Sequence, residues 1–310
     1  MAVDADTDRA RPAWFDAALT QREFQRLSAI IHDHVGICLP AAKQTMLESR
    51  LKPRLRALEL GSFAEYCELI FAAGPDEPEF VEMINQVTTN KTDFFREPGH
   101  FDYLRQHALP TLLREHGAGR DRELVVWSAA CSTGEEPYTL AMVLAEVQGA
   151  ARGFQVLATD ISTEVLEHAK RGVYDVERVA PVPPALRARY LLQSKDRAQG
   201  LVRVAPPLRA TVHFRRQNLM DERYVVRAPV DVIFCRNVFI YFDRATQERI
   251  LKRFCALLVP GGYLFLGHSE AINGLDLPLD QVAPTTYRLC VSRPSRRGHR
   301  DSTRPRAHRR

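Results

Sequence analysis

From Phe15 to about Val87, apolar residues recur every three or four positions. Phe24, Leu27, Ile30, Ile31 and Val35 form one series, and Met46, Leu47, Leu51 and Leu55 another. That spacing puts each series on one stripe of a helix. Gly61-Ser62 and Gly74-Pro75-Asp76-Glu77-Pro78 punctuate the region as turns. The first quarter of the chain is therefore predicted to be a small all-helical domain, with Pro53 kinking or restarting the helix that contains it. Beyond Thr92 the texture changes to short apolar runs of strand character, at 124–131, 154–159, 212–217, 231–236 and 262–267. Helical stretches fit between them, at Glu135–Val147, Ser162–Arg171 and Ala245–Leu258, the last closed by Pro260-Gly261-Gly262. Such alternation predicts an α/β domain with a doubly wound, mostly parallel sheet and right-handed crossovers. TTYRLCV at 285–291 adds a final antiparallel strand. The stretch between Gly172 and Pro207, with PVPP at 181–184, predicts an insertion that ends in a small β-hairpin.

Composition changes this picture little, but the distribution of charge changes it more. The chain of 310 residues is 45% hydrophobic and 26% charged, which fits a globular protein and excludes global disorder. Its net charge of +5 suggests an acidic partner. Residues 293–310, however, hold eight Arg and one Asp, a contribution of +7, so the rest of the chain sums to −2. That removes the main compositional reason to expect nucleic acid. No apolar run approaches the ~18 residues of a membrane span, and the acidic start MAVDADTDRARP lacks the apolar core of a secretory signal. A cytoplasmic location without membrane insertion is expected. The six cysteines have no Cys-x-x-Cys spacing and read as reduced core thiols, with no metal site.

Chemistry enters where the first strand runs into Ser128-Ala-Ala-Cys-Ser-Thr-Gly-Glu-Glu-Pro137, the position where doubly wound sheets hold a nucleotide. Only Gly134 supplies a glycine there, and Ala130 and Ser132 make the turn less permissive. Two acids, Glu135 and Glu136, open the helix; they would repel a phosphate but suit a ligand with a cationic amino-acid end, such as S-adenosylmethionine. Asp160 ends the second strand 26 residues after Gly134 and could accept both ribose hydroxyls, or else cap the next helix, a role open equally to Ser162. Asn218-Leu219 follows the third strand and offers an amide and an apolar contact to an adenine edge. Arg236-Asn237 and Tyr241 follow the fourth, and polar side chains gathered at strand ends mark a site.

Five motifs in order then carry a resemblance: Asn90-x-Thr-x-Phe-Phe-Arg96, Trp127 to Tyr138, Ala158-Thr-Asp-Ile161, Phe234-Cys-Arg-Asn-Val-Phe-Ile-Tyr-Phe242 and Gly267-His-Ser-Glu270. Together they resemble the chemotaxis receptor glutamate methyltransferases, the CheR family, over most of residues 24–291. The resemblance implies a class I S-adenosylmethionine-dependent methyltransferase fold, with a small helical N-terminal domain and an inserted β-hairpin subdomain. The expected division is 1–12 disordered, 13–88 helical domain, 89–292 methyltransferase domain with the insertion at about 191–215, and 293–310 a disordered Arg-rich tail. It further implies methyl transfer from S-adenosylmethionine to glutamates on the cytoplasmic helices of membrane chemoreceptors, leaving S-adenosylhomocysteine. Carried over by motif, Asn90, Thr92, Arg96, Glu136, Asp160, Asn218, Leu219, Arg236 and Asn237 would contact the cofactor, and Arg96 and Tyr241 would stand beside the transferred methyl. Glu136 is taken over Glu135 on motif register alone. Ser194-Lys195-Asp196 stands where relatives that tether to a receptor's C-terminal peptide are glycine-rich, which leaves tethering an open question. A monomer is expected.

A glutamate, with a pKa of ~4.3, is already ionised near neutrality, so the reaction needs alignment and desolvation but no general base. An acidic substrate helix also suits a basic face, for which Lys43, Arg50 and Arg54 at helical spacing, flanked by Lys52 and Arg56, are candidates. The competing readings are a nucleic-acid methyltransferase that uses the Arg tail for phosphates, and a receptor-binding module that has kept the fold without catalysis.

Overall fold

The computed structural model describes residues 17–148, 153–227 and 229–290. The expectations for residues 1–12 and 293–310 lie outside the described residues.

The helical domain contains α1 (Gln21–Val35), α2 (Gln44–Ala57), α3 (Phe63–Ala72) and α4 (Pro78–Val87). Thr20 and Glu23 form a reciprocal capping box at the start of α1, and Gly36, at φ +77°, ends it. A Cβ at Gly36 would lie 2.8 Å from Met220 Sδ, so glycine is needed both for the turn and for contact with the second domain. Leu27, Ile31, Leu47, Leu51, Leu55, Tyr66, Cys67, Ile70 and Met83 are wholly buried between these helices. The helix does not restart at Pro53: α2 runs through it as one helix.

The basic face is also different from expectation. Arg50 donates to the Val87 and Thr88 carbonyls and to Thr89 Oγ1, and Arg54 forms a two-point pair with Glu79 at 3.0 and 2.5 Å. Lys52 pairs with Glu48. Spacing put these cations on the same face, but that face packs against α4 and its acids, so Arg50 and Arg54 secure the domain from within. Lys43 precedes α2 and is exposed.

The second domain opens with α5 (Pro98–Tyr103) and α6 (Leu109–His116), followed by β1 (Leu124–Ala129), α7 (Glu135–Gln148), β2 (Phe154–Asp160) and α8 (Thr163–Arg171). The insertion holds β3 (Val173–Asp175), α9 (Pro184–Tyr190), β4 (Leu191–Gln193) and β5 (Leu201–Val204). The chain then forms α10 (Pro206–Arg209), β6 (Val212–Arg216), β7 (Val230–Cys235), α11 (Arg244–Leu257), β8 (Leu258–Leu266), β9 (Leu279–Ala283) and β10 (Thr286–Leu289). Among the described residues the main sheet runs β6-β2-β1-β7-β8-β10-β9, parallel from β6 to β8 and antiparallel thereafter. The chain proceeds outward from β1 to β2 and β6, then returns to lay β7 on the other side of β1. The carboxyl ends of β1 and β7 are therefore the switch point, where a doubly wound sheet leaves a crevice.

Two details differ from the sequence reading. The expected hairpin is β4 with β5, but β3 joins it to make a three-stranded sheet; 212–216 is the main-sheet strand that the alternation predicts, at the sheet's edge, so the insertion ends earlier than the expected 215. Pro260-Gly261-Gly262 lies inside β8 as a bulge, in which Gly261 takes φ +79° and a Cβ on Gly262 would meet the Asp231 carbonyl at 2.9 Å. Among the described residues no helix is long and apolar enough to cross a membrane.

Candidate active site

At the switch point the chain leaves β1 through Ala130-Cys131-Ser132-Thr133-Gly134 and enters α7. Ala130 and Ser132 take left-handed φ values of +58° and +50°, where L residues pay about 1–3 kcal/mol each. The turn expected to be less permissive is thus made in the glycine conformation without the glycines. It is held by three bonds: Cys131 N–H to the Thr159 carbonyl (2.9 Å), Ser132 N–H to Asp160 Oδ2 (2.8 Å) and Ser132 Oγ to the Asn90 carbonyl (2.9 Å). Asp160 also accepts the Ser162 N–H at 3.0 Å, and it is the Ser162 hydroxyl that caps α8. Burial pushes the Asp160 carboxyl above its ordinary range, against backbone N–H groups that favour its charge. The two glutamates at the start of α7 point in different directions. Glu135 turns away to Arg178 (3.0 Å), while Glu136 lines the crevice.

Glu136 is not a lone acid awaiting a cation. Its oxygens accept from Ser128 Oγ (2.6 Å) and from Arg236 Nε (2.7 Å), and both members of the ion pair are buried. Arg236 Nη1 reaches the Arg96 carbonyl (2.7 Å), Glu97 Oε2 (3.3 Å) and His100 Nδ1 (3.2 Å). His100 Nδ1 therefore accepts, and its Nε2 faces Thr285 Oγ1 at 3.0 Å. Burial, reinforced by the neighbouring Arg236, pushes the His100 pKa down to about 4. Burial alone would raise the Glu97 carboxyl, but Arg236 and the Asn237 amide outweigh it and leave it below the usual range. Glu97 itself sits at φ +56°, next to Arg96, and accepts from Asn237 Nδ2 (3.2 Å) and His268 N–H (3.4 Å).

The helical domain forms the roof. Ile37 bridges to Phe242, Cys38 N–H donates to the Tyr241 carbonyl at 2.8 Å, and Asn218 Nδ2 donates to the His34 carbonyl at 2.7 Å. Beneath it lies a cavity of about 390 Å³, within the usual range for small-molecule sites. All ten residues singled out from the sequence line it: Asn90, Thr92, Arg96, Glu136, Asp160, Asn218, Leu219, Arg236, Asn237 and Tyr241. Their tasks in the protein are more internal than expected, since Glu136 and Arg236 face each other and Asn218 spends an amide proton on the roof.

Sequence reasoning missed Glu97, His100 and Glu270. Glu270 is buried and accepts the N–H groups of Gly267 (2.6 Å), Asn237 (2.8 Å) and Phe239 (2.7 Å), which pins the loop leading to Tyr241. The Gly267-His-Ser-Glu270 motif was the visible signal for it, but nothing in the motif gave its role.

Two family models match the chain: the CheR methyltransferase all-alpha domain over residues 22–88 and the CheR methyltransferase SAM binding domain over residues 90–288. A chemotaxis protein methyltransferase of Salmonella typhimurium is 44% identical over 273 residues, covering 88% of this chain and 91% of its own length. The Escherichia coli protein of the same name is 43% identical, with 88% and 92% covered. The chain belongs to the CheR methyltransferase family. Chemotaxis protein methyltransferase 2 of Pseudomonas aeruginosa is a further relative, 42% identical over 86% of this chain and 93% of its own.

This CheR protein is thus an S-adenosylmethionine-dependent methyltransferase of chemotaxis, and its crevice fits that cofactor. Leu219, Val238 and Ile37 offer apolar wall, and Asp160 stands at the end of β2. A carboxylate has about four acceptor sites, so Asp160 keeps capacity for a hydroxyl beyond the Ser132 and Ser162 N–H groups it already accepts.

Proposed function

We propose that this protein methylates glutamate side chains on the cytoplasmic helices of membrane chemoreceptors, forming γ-glutamyl methyl esters. The supporting observation is the character of the cavity's groups. Arg96 and Tyr241 line it, no histidine does so among the described residues, and its two carboxylates are already engaged, Glu136 by Arg236 and Asp160 by backbone N–H groups. Such a site offers no histidine and no unpartnered carboxylate to take a proton, and suits a nucleophile that arrives ionised.

When bound, S-adenosylmethionine supplies a methyl group made electrophilic by the sulfonium. In this reading Asp160 accepts the ribose hydroxyls, Asn218 and Leu219 meet the adenine edge, and Glu136, steadied by Arg236, faces the amino-acid end. Asn90, Thr92 and Asn237 complete the walls. Arg96 would hold one oxygen of the incoming carboxylate and Tyr241 would pack or donate beside it, which leaves the other oxygen free to receive the methyl group. The bound cofactor would supply the methyl group and retain the leaving electron pair, so no residue of the cavity would need to take up a proton. The helical-domain roof keeps water from the nucleophile. A chemoreceptor substrate of this kind also places the protein in the cytoplasm.

The test is the pH dependence of methyl transfer to receptor. A carboxylate nucleophile without a base gives a turnover that stays flat from about pH 6 to 9, well above the free glutamate pKa. A rate rising tenfold per pH unit across that range would mean that the nucleophile must first be deprotonated, and would contradict the reading.

A further inference from the structure

The seam between the two domains holds a side-chain cluster that methyl transfer does not use. His32 on α1, Cys38 just after it and Asp243 at the start of α11 bring a ring nitrogen, a thiol sulfur and a carboxylate oxygen within 4.8 Å of one another. His32 Nε2 and Asp243 Oδ2 are 2.8 Å apart. We propose that these three side chains bind a zinc ion, with a water as fourth ligand.

The donor set is one that zinc accepts, imidazole, thiolate and carboxylate in a roughly tetrahedral arrangement. Its surroundings are ordered as a metal site requires. Asp243 Oδ1 is fixed by the Thr246 N–H at 2.8 Å, which leaves Oδ2 to face the seam. His32 presents Nε2 to Asp243, while its Nδ1 lies 3.6 Å from Asp33 Oδ1, beyond hydrogen-bond reach. Cys38 is placed by its own N–H on the Tyr241 carbonyl and by the adjoining Ile37–Phe242 bridge. An entry path exists, because Cys38 is exposed and the His32 and Asp243 side chains keep 41% and 40% of their surface in solvent. Metal–ligand lengths of about 2.0–2.3 Å set ligand atoms roughly 3.3 Å apart. The His32–Asp243 contact therefore opens by about half an ångström, and the Cys38 thiol releases its proton to solvent.

The neighbouring cluster of Glu97, His100 and His268 does not qualify. Both ring nitrogens of His100 are engaged, and the Arg236 guanidinium beside it would repel a second cation. At the seam the ion would tie α1 to the segment that follows Tyr241. It would also stabilise the folded state, because the three ligands meet only there.

The experiment is a titration of the full chain with cobalt(II), whose bond to a thiolate gives a charge-transfer absorption. The proposal expects that absorption to saturate at one equivalent and to be displaced by zinc. It should vanish in Cys38→Ser, persist in Cys255→Ser, and require more than about tenfold more metal in His32→Ala. Zinc should raise the melting temperature of the parent protein and leave that of Cys38→Ser unmoved. The thiolate band separates this site from His299 and His308 near the C-terminus. Absence of the band in the parent protein, or its survival in Cys38→Ser, overturns the proposal.

Discussion

The buried Arg236–Glu136 pair allows a quantitative test of how the cavity floor is held. Arg236→Met fills similar space but removes the one guanidinium shared by Glu136, Glu97, the Arg96 carbonyl and His100. Leaving two carboxylates buried without it should cost about 3–5 kcal/mol. Glu136→Gln keeps the shape and leaves Arg236 with Glu97, so the loss is that of one charged hydrogen bond, about 1.5–3 kcal/mol. Attraction between the charges, about 4 Å apart at an effective dielectric near 20, is about 4 kcal/mol; desolvation takes back part of it. The two substitutions should therefore couple by about 2–3 kcal/mol. Glu136→Gln/Arg236→Met should be nearly as stable as Arg236→Met alone. Urea unfolding at pH 7.5, with m unchanged across the four proteins, measures this directly. A coupling below about 0.5 kcal/mol would mean that the two side chains act independently, and the reasoning would fail.

Asp160→Ala should weaken S-adenosylhomocysteine binding at least about a hundredfold by calorimetry, the equivalent of two charged hydrogen bonds to a diol; undiminished affinity would remove Asp160 from the cofactor site. Gly267→Ala places a Cβ 2.5 Å from Asn237 Nδ2 and 2.8 Å from its backbone N. It should cost about 1–3 kcal/mol in thermal unfolding and raise the KM for S-adenosylmethionine, since the loop it displaces carries Tyr241. Burial holds the folded His100 pKa at about 4, below the ordinary imidazole value of 6.5, so the unfolded chain binds the extra proton between those values and stability falls as pH falls. The stability advantage of the parent protein over His100→Gln should shrink by about 2 kcal/mol between pH 7 and 5, and a constant difference would show that His100 titrates normally.

Asp160, Asn218, Leu219, Arg236, Asn237 and Tyr241 were legible because a doubly wound sheet brings all its parallel strand ends to one edge, and Glu136 because it opens the helix after the first strand; Asn90, Thr92 and Arg96 came from the motif resemblance alone. Once 124–131, 154–159, 212–217 and 231–236 are read as parallel strands, Asp160, Asn218 and Arg236 must converge however far apart they lie in the chain. What supports those residues was not legible. Glu97, His100 and Glu270 act through backbone N–H groups and a shared guanidinium, partners that spacing does not reveal. The third strand of the insertion, Val173–Asp175, is too short to show a period. The basic face illustrates the opposite failure. Helical spacing placed Arg50 and Arg54 on one face of α2, with Lys43 just ahead of it and exposed, but periodicity cannot tell a solvated face from one that packs on Glu79 and the end of α4. Cys38 and Asp243 likewise gave no metal-site spacing, since the seam joins residues from the two domains.

The central claim is that a receptor glutamate receives the methyl group. The protein is incubated with S-adenosylmethionine labelled on that methyl, in separate reactions with receptor-rich membranes and with RNA. The account predicts label on receptor protein that is released as methanol by mild alkali, and none in a parallel reaction with Asp160→Ala. Alkali-stable label, or label on RNA alone, would contradict it.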